Sequence, residues 1–140
     1  MSEVQKKTSQ FGSRTYTWYT IEAPEIKTMK DCAVLARKIA GIGKLKRVEC
    51  RGYHDMDTHE NYAFYDSTDE FDKDLERLKK LDIETIDITT SINGFYFGVE
   101  MNPVGNNANG TSVCVHGSEK KELEDAMKAV RKILKGWKSE

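Results

Sequence analysis

Asn93-Gly94 stands between two runs of alternating apolar residues, Ile86, Ile88 and Ile92 before it and Phe95, Phe97, Val99 and Met101 after it. A two-residue loop between paired strands needs positive φ at both positions, which asparagine and glycine adopt most readily, and its twist matches that of the strands it joins. Residues 86–101 are therefore expected to form a tight antiparallel hairpin with one apolar face. Any fold for this chain has to extend the sheet that this hairpin starts.

The neighbouring segments supply strands and helices in a definite order. Residues 14–23 are rich in Thr, Tyr, Trp and Ile, which suit a pleated surface, and Pro24 closes the run because it cannot donate to a ladder. Thr28, with Asp31 three positions on, caps a helix whose Met29, Cys32, Ala33, Ala36, Ile39 and Ala40 share one face. Gly41 and Gly43 read as its C-terminal stop. Strands over 45–53 and 61–66 flank a polar hairpin loop at 54–60, and Ser67 to Glu70 has the pattern of a capping box ahead of Phe71, Leu75 and Leu78. Residues 102–110, NPVGNNANG, form a loop by composition, and a short strand over 112–116 follows. Ser118 then caps a last helix, with Leu123, Ala126, Met127, Val130, Ile133, Leu134 and Trp137 as its apolar stripe.

Residues 1–13 are polar without periodicity and are expected to be a mobile tail, leaving 14–140 as a single domain. The order β-α-β-β-α-β-β-β-α predicts an α+β fold: a mainly antiparallel sheet of about six strands with three helices packed on one face, ferredoxin-like in the order of its first six elements.

Charge and cysteines narrow the function classes. Lys plus Arg number 22 against 23 Asp plus Glu, for a net charge of -1. That balance argues against nucleic acid and anionic membranes as partners. The start of the chain lacks the apolar stretch of a secretory leader, and no apolar run approaches the roughly 18 residues a bilayer span needs, so a cytoplasmic protein is expected. Cys32, Cys50 and Cys114 are odd in number and far apart, which fits reduced thiols better than a disulfide framework or a zinc site. No cofactor is expected.

The densest chemistry lies at 54–60, where His54, Asp55, Asp57 and His59 fall within seven positions. Imidazoles and carboxylates across a hairpin mouth are able to share a metal ion, so a small metal-dependent or acid/base hydrolase, with Arg51 as an anion clamp, is one reading. The spacing matches no ligand signature, and a solvated polar loop accounts for it better. Cys114 and His116 share a strand face but stand about 7 Å apart, too far for a nucleophile and its base. Gly41-Ile42-Gly43-Lys44 follows a helix, whereas a phosphate cradle precedes one.

The sheet's second face carries a different signal. Arg47, Arg51 and Tyr53, joined by Tyr19 and Tyr96, are the residue types that dominate binding hot spots. The leading expectation is a non-catalytic accessory protein, of the kind that inhibitors, immunity proteins and regulators are, binding another protein or a small polar ligand through that face. A homodimer through the same face or the first strand's edge is a further expectation. Single-stranded nucleic acid on the sheet, stacking on Tyr53, Tyr65 or Tyr96 with phosphates on Arg47 and Arg51, is the remaining alternative.

Overall fold

A computed structural model of the chain describes residues 4–52, 62–81, 83–101, 111–118 and 120–137. Within them the Asn93-Gly94 turn forms as the dipeptide requires, with φ of 53° at Asn93 and 79° at Gly94. The elements in chain order are β1 (Val4–Phe11), β2 (Arg14–Ala23), α1 (Met29–Ala40), β3 (Lys44–Gly52), β4 (Tyr62–Tyr65), α2 (Thr68–Lys73), α3 (Leu75–Lys79), β5 (Ile83–Ile92), β6 (Phe95–Met101), β7 (Thr111–Ser118) and α4 (Lys121–Lys135).

Among the described residues all strands join one seven-stranded sheet in the order β1-β2-β7-β6-β5-β3-β4, with every neighbouring pair antiparallel. The α+β architecture is as the periodicities predict, but the details differ. Residues expected to form a tail make up β1, held to β2 from Val4↔Ile21 to Phe11↔Arg14. The hairpin turn is Gly12-Ser13, and Gly12 has φ of 64°, which a side chain would disfavour. Nor do the first six expected elements form a ferredoxin-like unit. β7, β6 and β5 separate β2 from β3, because the β5–β6–β7 meander runs back across the sheet to meet β2.

The helices cover one face. Ile21, Val48, Cys50, Ile86, Ile88, Phe97, Val99, Val113 and Val115 point to that side and are sealed by Leu35, Ile39, Phe71, Leu78, Leu123, Val130 and Leu134. The expected second helix is two short ones, broken at Asp74 (φ −102°, ψ 6°). Ser67 accepts from the Glu70 N–H at 3.2 Å, while the Glu70 carboxylate turns back to the Asp66 N–H at 3.3 Å. Ser118 does not cap α4: it belongs to β7, opposite Tyr16, and the N-cap position falls to Lys120, which makes no side-chain cap bond. Trp137 continues the α4 stripe but is only partly buried, with the Lys38 ammonium 5.5 Å above its ring. Among the described residues no helix is long and apolar enough to cross a membrane.

The break at Asp74 has an electrostatic consequence. The Tyr65 hydroxyl donates to Asp74 Oδ2 at 2.5 Å and Arg77 Nη2 donates to the same oxygen at 2.6 Å. Those bonds, Arg77's first and Tyr65's second, hold the Asp74 carboxyl below the usual carboxylate range. A carboxylate depressed by folding contributes stability that is present above its unfolded pKa and is lost as the pH falls through the folded one. Asp74→Asn is therefore expected to destabilise the protein at about pH 7 and to differ less from the parent at about pH 2, closer to protonation of the parent's own carboxylate. Urea unfolding at the two pH values measures the gap, and a gap that widens in acid contradicts a folding-depressed carboxyl at Asp74. Because the pair is half exposed, added salt narrows the neutral-pH difference as well.

Candidate binding face of the sheet

Strand alternation divides the sheet into a helix-covered side and an open side. Antiparallel register then lays the open side out in rows. One row runs Lys7, Trp18, His116, Gly98, Thr89, Arg47 from β1 to β3. The next runs Gln5, Thr20, Cys114, Glu100, Asp87, Glu49 and ends at Phe64 on β4. A bulge between Leu45 and Arg47 inserts Lys46, whose ammonium lies 4.7 Å from the Tyr96 ring centre. The bulge thus sets Lys46 beside Arg47 on the open side.

Of the residues expected to form a binding surface, Arg47, Arg51 and Tyr96 lie on this face, and Arg51 Nε sits 3.3 Å from Glu49. Tyr19 does not. It is 6 % exposed and points to the helix side with Ile21, because it is out of phase with Tyr16 and Trp18 on β2. Tyr65 also faces the helices, opposite Val48 and against Phe71 at 5.8 Å. Tyr53 and residues 54–60, including His54, Asp55, Asp57 and His59, lie outside the described residues.

The structure brings Tyr16 and Trp18, aromatic surface on one face of β2, together with partners the sequence does not show. Tyr16 and Trp18 pack at 4.6 Å between ring centres, and Phe11 meets Tyr16 edge-on at 6.4 Å. Beside them the Tyr16 hydroxyl lies 2.7 Å from His116 Nδ1, and His116 Nε2 lies 3.5 Å from Asp87 Oδ1. Both of the latter atoms are buried and neither has a hydrogen-bond partner. The imidazole reaches this position because Gly98, its cross-strand partner, has no side chain: a Cβ there would overlap the ring at Cε1 and Nε2. A shallow pocket of about 200 Å³ opens over Gly98, lined in part by Tyr16, Thr89, Tyr96, His116 and Ser118. The signal for this cluster was in the sequence, since Cys114 and His116 alternate to one face. Only the β6–β7 register shows that the residue opposite His116 is a glycine.

Burial, with the charges of Asp87, Cys114 and Glu100 added to it, raises the Tyr16 phenol above its ordinary range. Burial likewise raises Cys114, and pushes the Cys50 thiol up to about 12. None of these groups is poised as an anion near neutral pH. Among the described residues, no three His, Cys, Asp or Glu side chains come together to hold a metal ion. No known protein family, curated protein or solved structure matches this chain.

Proposed function

We propose that this chain is a non-catalytic binding protein that receives a partner protein on the open face of its sheet. One observation carries the reading. The large hydrophobic side chains that stand exposed among the described residues are Phe11 at 61 %, Phe64 at 58 % and Tyr96 at 55 %, and all three are on the side no helix covers. Exposed apolar residues scattered singly need no explanation, but these three share one side of the sheet, Phe11 and Phe64 on its two edge strands and Tyr96 between them, and the arginines among them are, with the aromatics, the residue types enriched at protein interfaces. Tyr and Arg supply large contact area and forked hydrogen bonding without a shifted pKa or a metal.

The test uses a partner co-purified with the parent chain from its native host. Tyr96→Ala and Arg47→Ala are each expected to weaken its binding by about 1 kcal/mol or more, while Lys128→Ala on the outer side of α4 leaves it unchanged. Calorimetric titration of the purified pair reads the difference. The opposite pattern, with the α4 variant impaired and the two face variants intact, would remove the open face from the interaction. Where the partner is a second copy of this chain, the same variants shift the monomer–dimer equilibrium in sedimentation.

A further inference from the structure

Charge is sorted by row on the open side of the sheet. From the row of Lys7 and Arg47 to the Gly12-Ser13 and Asn93-Gly94 turns, the strands carry Lys7, Arg14, Lys44, Lys46 and Arg47 on that side and, among the described residues, no carboxylate. The adjoining row is the reverse: Glu100, Asp87 and Glu49 stand next to one another on β6, β5 and β3. The step between the two rows is about 7 Å, the repeat of side chains on one face of a strand. Glu49 has Arg51 at 3.3 Å, and Asp87 Oδ1 has His116 Nε2 at 3.5 Å. Among the described residues no carboxylate lies within ion-pair distance of the cations named above.

A partner surface of a single sign is attracted by one row and opposed by the next, and a polyanion laid along the cations would have three carboxylates about 7 Å away. The complementary surface is itself banded, and the chain's own open face has that pattern. A two-fold axis in the plane of contact, running across the strands midway between the Arg47 row and the Glu49 row, turns one open face onto another and exchanges the two rows. Position along a row is unchanged by that rotation. Arg47 of each chain therefore comes to the partner's Glu49, with Lys46 beside it, and Gly98 comes to the partner's Glu100. The shallow pocket of about 200 Å³ over Gly98 is thereby a hole for a carboxylate-bearing side chain, with Lys46 and Arg47 beside its Tyr96 and Thr89 walls. The strands of the two sheets stay nearly aligned, as they do when sheets pack face to face. A two-fold along the strands would instead lay each row on its own copy, cation on cation.

Resting on the reading that the open face receives a protein, we propose that this protein is a second copy of the chain, docked open face to open face about that axis. The contact of Arg47 with the partner's Glu49, made twice by symmetry, sets the register. Tyr16, Trp18 and Tyr96, on the cationic side of the axis, supply apolar area, and Phe11, on an edge strand beside its turn, lies at the rim.

Sedimentation equilibrium of the full chain tests this through a charge exchange. The parent is expected to dimerise, and Arg47→Glu or Glu49→Lys, each of which sets like charges at both symmetric contacts, to weaken the dimer about tenfold or more. An equimolar mixture of the two variants is expected to dimerise again, because positions 47 and 49 then face each other with opposite sign at both contacts. Should either variant fail to fold, the salt dependence of the parent replaces the exchange: its dimer is expected to weaken as salt is added. A monomeric parent, a dimer indifferent to salt, a dimer that neither folded variant weakens, or a mixture no more dimeric than its components overturns the second-copy interface. Binding of a single-stranded oligonucleotide by a monomeric parent, lost in Arg47→Glu, would assign the cations to nucleic acid and overturn it as well. The wider reading fails or stands separately. Where a different protein co-purifies and Tyr96→Ala and Arg47→Ala weaken its binding, the open face remains the binding surface although no second copy occupies it.

Discussion

Replacing Phe71 by alanine is expected to lower the unfolding free energy by about 3–5 kcal/mol, the range for removing a fully buried aromatic ring. Phe71 is 0 % exposed and is the one buried residue of α2, a helix of six residues that has too few turns to hold itself together. α2 in turn packs on α1 and on β4, and the Phe71 ring lies 5.8 Å from that of Tyr65. Its loss leaves a void beneath the β3–β4 edge of the sheet as well as detaching the helix. Phe11→Ala, which removes a ring of the same size from the open face, should cost less than about 1 kcal/mol. Guanidinium unfolding of the two variants measures both. Similar losses for the two rings would mean that the open face is already covered in the isolated protein and is not available to a partner.

Gly43→Ala is expected to cost about 3 kcal/mol or more, at the upper end of what overpacking does. A Cβ on Gly43 would overlap the Ser91 carbonyl oxygen and stand 3.0 Å from Ile92 Cγ1. The obstruction is backbone, so no rotamer change relieves it, and the start of β3 has to move off β5 and give up the Lys44↔Ser91 pairing. Gly41→Ala provides the contrast. Gly41 has φ of −75°, which alanine adopts readily, and its Cβ would meet only the Lys38 carbonyl at 3.3 Å. A change within about 1 kcal/mol is expected there. Equal costs at the two glycines would show that β3 does not approach β5 this closely.

Those two glycines illustrate how far the sequence reads by itself. Both look like the end of a helix. Gly41 is the C-cap, although in a right-handed conformation, and Gly43 is required by a strand brought alongside from 48 positions later. Local pattern carries information over a turn or a hairpin, because caps, turns and alternation are satisfied by neighbours in the chain. The Thr28–Asp31 cap, the Asn93-Gly94 turn and the stripe on α4 all form as their residues predict, and the α+β class follows from them.

Even the missed first strand had a local sign, since Gly12-Ser13 is a hairpin dipeptide. Its residues are mostly polar because β1 is an edge strand that stays exposed along most of its length, so burial never selected an alternation. What only the tertiary structure decided is the pairing of distant strands. Sheet order depends on which edges remain open after the meander and the crossover have formed, and no periodicity records it. That order and its registers bring Tyr16 and Trp18 to His116, and place Gly98 under the imidazole with Asp87 beside it. The sequence by itself determined which residues face the same way on each strand. The register between strands determined which of them stand together, because contact across a sheet is a property of the ladder and not of the chain.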